Sequence, residues 1–120
     1  MAAAWLRALD EALAEDGSVG LVVDDRAVPG ARAELTGHGV DFREADRFDT
    51  GTRLALVPAS AVKGLEFDQV VLVEPGDIAD PALGAAGLRR LYTALTRAVL
   101  GLTIVHAKPL PAALGPAPAA

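Results

Sequence analysis

The residues with chemical capacity gather in two short stretches. In 62-VKGLEFDQVVLVEP-75, Lys63, Gly64, Glu66 and Asp68 stand at the mouth of an apolar run. A buried strand packs without a lysine and two carboxylates ahead of it. Gly64 allows a sharp turn, or the close approach of a ligand. Glu66 and Asp68 alternate with Leu65 and Phe67, so in an extended segment the acids share one side. Glu66 is suited to accept hydrogen bonds from a sugar hydroxyl, and Lys63 to face a phosphate or the carboxylates. A surface Lys–Glu pair beside a turn, worth little in energy, is the plainer reading.

The second stretch is 87-GLRRLYTALTRAVLG-101. Helical spacing puts Leu88, Leu91, Tyr92, Leu95 and Val99 on one side, the expected core stripe. Arg90 and Arg97 then point nearly the same way, opposite the leucines, with Ala94 between them and Thr93 and Thr96 beside them. Two arginine forks over a small residue can converge on a phosphate, because guanidinium is always charged and binds phosphate oxygens bidentately. A solvent-facing helix surface accounts for the same spacing.

These residues need a scaffold. Residues 3–15 carry Trp5, Leu6, Leu9 and Leu13 at helical spacing and predict an amphipathic first helix, stopped by Gly17 and Ser18. The runs 19–23, 39–42, 53–59, 69–75 and 102–107 predict five short strands. Helices are expected at 28–37 and at 87–99, the latter ended by Gly101, with a loop over 76–87. Asp24 and Asp25 end the first strand; Asp25 reads as an N-cap for the next helix, and a metal or general-base site is the alternative. Alternating elements predict an α/β fold with a mostly parallel sheet and helices on both faces. In such folds ligands are expected beyond the carboxyl ends of the strands. Residues 1–108 read as one domain, and the Pro/Ala-rich tail 109–120 as disordered.

Composition narrows the function classes. No apolar run reaches the roughly 18–20 residues of a membrane span. The chain has no cysteine, which removes disulfides and thiolate metal sites and is compatible with a cytoplasmic home. Its net charge of −5 argues against an autonomous nucleic-acid binder, although Arg89, Arg90 and Arg97 form a local basic cluster. His38 and His106 lie in no metal-ligand spacing, and no serine stands in a nucleophile motif.

Taken together, Lys63-Gly64-Leu65-Glu66-Phe67-Asp68 before a strand and Leu91-Tyr92-Thr93-Ala94-Leu95-Thr96-Arg97-Ala98 resemble motifs V and VI of superfamily 1 helicases of the UvrD/Rep type. The resemblance covers about residues 18–107 and implies the second, C-terminal RecA-like motor domain of that family. It implies that Arg97 is an arginine finger on the γ-phosphate of ATP, that Gly64 and Glu66 line the nucleotide pocket with Glu66 at the ribose, and that Lys63, Arg90 and Tyr92 support them. It also implies a partner, an N-terminal RecA-like motor domain that brings the P-loop and the magnesium ligands. This chain has neither a G-x-x-x-x-G-K-[ST] loop nor a DEXX-type box, so hydrolysis of ATP by the chain alone is not expected. Only residues 43–52 stand where the family inserts an accessory domain, and Ser60 stands where a DNA-touching histidine is usual. The compact form resembles the HelD branch of RNA polymerase-associated ATPases. The expected target is therefore single-stranded nucleic acid or RNA polymerase. A catalytically idle interaction module derived from such a domain is the alternative.

Overall fold

The computed structural model describes residues 2–44 and 53–111. Its strands are β1 (Val19–Val23), β2 (Arg43–Glu44), β3 (Leu54–Pro58), β4 (Phe67–Val73) and β5 (Ala98–Val105). They form one sheet, ordered β2-β3-β1-β4-β5, in which every pairing is parallel. The helices are α1 (Ala2–Ala14), α2 (Val28–Gly37), the single turn α3 (Pro75–Ile78) and α4 (Ala85–Leu95).

Side-chain alternation along the strands divides the core in two. Val19, Leu21 and Val23 of β1, Leu54 and Leu56 of β3, and Val71 and Val73 of β4 face Trp5, Leu9 and Ala12 of α1 and Ala31 and Leu35 of α2. Val22, Ala55, Val57, Val70 and Leu72 face the other way, onto Leu91 and Ala94 of α4, Ile78 and the 59–62 turn. Helices thus cover both faces, as all-parallel strands with apolar residues on both sides require.

Several boundaries differ from the sequence expectation. The second strand lies at Arg43–Glu44, pairing with Ala55 and Leu56, instead of at 39–42. Gly39 takes φ +67 and the Val40 N–H bonds back to the Leu35 carbonyl, so these residues close α2 before the chain can extend. The fourth strand begins at Phe67, and the last helix stops at Leu95, earlier than expected. Gly101 does not end that helix. It lies within β5 opposite Gln69, whose Oε1 would stand 2.2 Å from a Cβ at that position. The expected loop after β4 contains α3 and a 3-10 turn at Pro81–Leu83. Asp24, rather than Asp25, caps the turn after β1, accepting from the Arg26 N–H, while Asp25 accepts from the Ser60 N–H at 3.0 Å. The expected disordered tail lies outside the described residues from position 112 onward. Among the described residues no helix is long and apolar enough to cross a membrane.

Candidate functional site

The segment 62–68 divides its labour between structure and exposure. Leu65 N–H bonds to the Val62 carbonyl at 3.1 Å, closing a turn in which Gly64 takes φ +82. No atom lies within 4 Å of the Cβ that Gly64 lacks, so only its backbone demands glycine. Gly64→Ala is therefore expected to cost about 1–2 kcal/mol of stability in urea unfolding, the penalty of a left-handed alanine. An unchanged midpoint would show that the turn adopts another conformation.

Phe67 and Asp68 are structural. Phe67 is buried and lies over Gly20 of β1. Asp68 accepts from the Ser18 N–H at 3.0 Å, and its own N–H donates to Ser18 Oγ at 3.1 Å. This reciprocal pair ties the amino ends of β1 and β4 together, so Asp68 does not join Glu66 at the surface. Lys63 and Glu66 remain exposed.

Arg97 sits between the end of α4 and the start of β5. Its backbone carbonyl accepts from the Phe67 N–H at 3.0 Å. Its Nε donates to the Thr93 carbonyl at 3.0 Å, one terminal nitrogen lies 3.5 Å from the Leu65 carbonyl, and the other 3.2 Å from Thr96 Oγ1. A fixed positive charge at a helix C-terminus suits the helix dipole. The guanidinium is thereby held beside residues 65–67, and Arg97, Glu66 and Gly64 share one edge of the sheet. That edge is the amino end of β4 and β5, not the carboxyl end expected from fold analogy.

Arg90 does not converge with Arg97. Thr96 and Arg97 lie beyond the helix, and the buried stripe of α4 is Gly87, Leu91 and Ala94, with Leu95 partly buried beside it, so of the expected apolar row only Leu91 and Leu95 face the core. Leu88 and Tyr92, expected in the core, are 48% and 71% exposed, and Val99 lies on β5 at 60%. Gly87 packs against the Ile78 and Asp80 carbonyls and Leu83, and Ala94 against the sheet-side core, so the small residues of α4 face inward and Leu88 and Tyr92 face outward. Arg90 instead lines an open cleft of about 370 Å³ with Lys63, Arg89, Ser60 and Thr93. Three cations line it and no acid does, a composition that favours anions. Arg89 was missing from the sequence-derived site. Ala86, Arg89, Arg90 and Thr93 recur at i, i+3, i+4 and i+7, a signal for a second polar flank on this helix.

The carboxyl end of the sheet is occupied by internal ion pairs. Asp24 contacts Arg26 Nε at 2.7 Å. The nearly buried Glu74 carboxylate accepts from the Ala107 and Lys108 N–H groups, and Lys108 Nζ lies 2.9 Å from Asp77. Hydrogen bonding to Asp24 raises the Arg26 pKa, and hydrogen bonding to Asp77 raises that of Lys108. A raised lysine pKa means this small contribution is present below the ordinary lysine value and lost as pH rises through the raised one. His38 closes α2 beside Glu34, and the exposed His106 meets the Lys108 carbonyl at 2.8 Å.

The sequence matches no family model and no curated protein. Among solved structures, the chain is similar to the C-terminal domain of a possible DNA helicase from Lactobacillus plantarum WCFS1, with a TM-score of 0.65 and 23% identity. The fold is RecA-like. The match covers 88% of this chain and 65% of that one, so the chain spans about two thirds of its neighbour's length. The RecA-like sheet carries Glu66 and Arg97 at the amino ends of adjacent strands.

Proposed function

We propose that this chain is the C-terminal motor half of a superfamily 1 helicase-like ATPase of the UvrD/Rep type. It presents Arg97 and Glu66 to ATP bound mainly by an N-terminal motor domain. The observation that carries this reading is the meeting of the two motifs, with the Arg97 guanidinium held 3.5 Å from the Leu65 carbonyl, next to Glu66. The structural neighbour, the C-terminal domain of a possible DNA helicase, supports reading the chain as a C-terminal helicase-like part.

In this reading the Arg97 fork stabilises charge on the departing terminal phosphate. Glu66 accepts from the ribose, and Gly64 lets the chain approach the nucleotide. Lys63 and Arg90, in the adjoining cleft with Arg89, add positive potential beside that edge. Magnesium is held through the partner domain. Closure of the two halves on nucleotide, and their parting after hydrolysis, drives movement on nucleic acid or remodelling of RNA polymerase. Only residues 45–53 lie between β2 and β3, which supports a branch without the accessory domain, like HelD, and with it a cytoplasmic setting.

The test is calorimetric titration of ATP, first onto this chain and then onto its mixture with an N-terminal motor domain. Weak binding to the chain and tight binding to the mixture are expected. Tight binding to the chain by itself overturns the shared-site reading.

A further inference from the structure

The basic residues of this chain are placed in different ways. Arg26, Arg32 and Lys108 each meet a carboxylate. Arg53 and Arg97 donate to backbone carbonyls. Lys63, Arg89 and Arg90 make no ion pair with any described residue, yet they line one cleft. The chain carries 16 acids against 11 bases. In so acidic a chain, three neighbouring cations with no carboxylate among them leave a positive charge for a ligand to meet.

The walls of the cleft narrow the kind of anion. Lys63 and Arg89 are exposed and Arg90 half-buried, so the cations form its rim. The buried Ala59 and Val62 form an apolar floor. A phosphodiester backbone brings no apolar side chain to such a floor. No aromatic residue lines the cleft, so the bases of a single strand find no stacking platform there. From Ala86 to Thr93 the α4 wall runs about 10 Å, the span of about three residues of an extended peptide. A nucleic-acid strand would continue past it, over the rest of a chain with net charge −5.

We propose that this cleft docks a short acidic segment of a partner protein, with one apolar side chain on the floor and flanking carboxylates on Lys63, Arg89 and Arg90. Arginine forks bind carboxylates bidentately, and the lysine of the facing wall adds a third charge. At physiological salt the screening length is about 8 Å, so the acids elsewhere on the chain oppose a short segment only weakly. The proposal does not rest on the nucleotide reading, because Arg97 and Glu66 do not line the cleft.

Fluorescence anisotropy on the whole chain, with a labelled octapeptide of alternating glutamate and leucine, tests this. Saturable binding below about 1 mM is expected, weakening as salt rises. Replacing every glutamate of the peptide by glutamine should weaken binding at least about tenfold, and so should Arg89→Glu. Arg7→Glu makes the same charge change on the exposed side of α1 and should alter affinity less than about twofold. Amide exchange of the unmodified chain supplies a readout independent of variant folding: the peptide should raise protection over 59–65 and 86–93. Absence of binding, equal affinity for the glutamine peptide, equal effects of Arg89→Glu and Arg7→Glu, or unchanged exchange in both segments overturns the proposal. Tighter binding of an oligothymidylate of the same length also overturns it, in favour of a nucleic-acid strand. Neither ATP nor an N-terminal motor domain is present, so the outcome is separate from that of the ATP titration.

Discussion

Arg97→Ala is expected to lower ATP turnover about 10³–10⁵-fold when the chain is combined with its N-terminal motor domain, the range found for arginine fingers. Steady-state hydrolysis with and without the substitution measures it. Arg97→Lys should recover little of the loss, because an ammonium keeps the charge but not the planar fork. The substitution also has a structural side. The guanidinium donates to the Thr93 carbonyl and contacts Thr96 Oγ1, so its removal uncaps the end of α4. That loss is about 1 kcal/mol and shows in urea unfolding. Thr96→Val separates the two effects. It removes the hydroxyl that bonds the Tyr92 and Thr93 carbonyls and Arg97, yet keeps the fork. It should lower stability by a similar amount and leave most of the turnover. Arg97→Ala turnover within a few-fold of the unmodified protein would refute the assignment.

Gly20→Val should be among the most damaging changes to stability. Local propensity favours the valine, since β-branched residues suit a strand. Packing opposes it. β1 is the central strand, and a Cβ at position 20 would stand 2.5 Å from Cδ2 of the buried Phe67 ring. Overpacking of this kind costs about 1–3 kcal/mol or more, because neither a central strand nor a buried ring can yield freely. The ring belongs to the residue whose N–H holds the Arg97 carbonyl, so displacing it also disturbs the candidate site. Urea unfolding of Gly20→Val, Phe67→Leu and the double variant forms a cycle. The double variant should be more stable than the sum of the two losses predicts. Strict additivity would mean that glycine and ring do not touch.

The elements most legible in sequence were those with one unambiguous period. The first helix, the helix at 28–37 and strands β1, β3 and β4 lie close to their expected places, because each buries a face that the local pattern defines, whereas β2 lies at 43–44 instead of 39–42 and β5 begins at Ala98 instead of 102. Polar residues were harder to assign. Asp68 looks like a partner of Glu66 in sequence, yet it bonds Ser18, 50 residues away. Ala94 looks like a spacer between arginines, yet it is wholly buried.

The sequence by itself determined the alternation of helix and strand, the parallel α/β class and the two segments that carry Glu66 and Arg97. These follow from short-range periodicity and from residue chemistry. Only the tertiary structure decided that those residues lie at the amino edge of the sheet, that Arg90 turns away to a cleft with Lys63 and Arg89, and that β5 lies at an edge of the sheet. The reason is geometric. A local pattern states which side of an element is apolar, but crossover paths and the closeness of packing decide what each side meets.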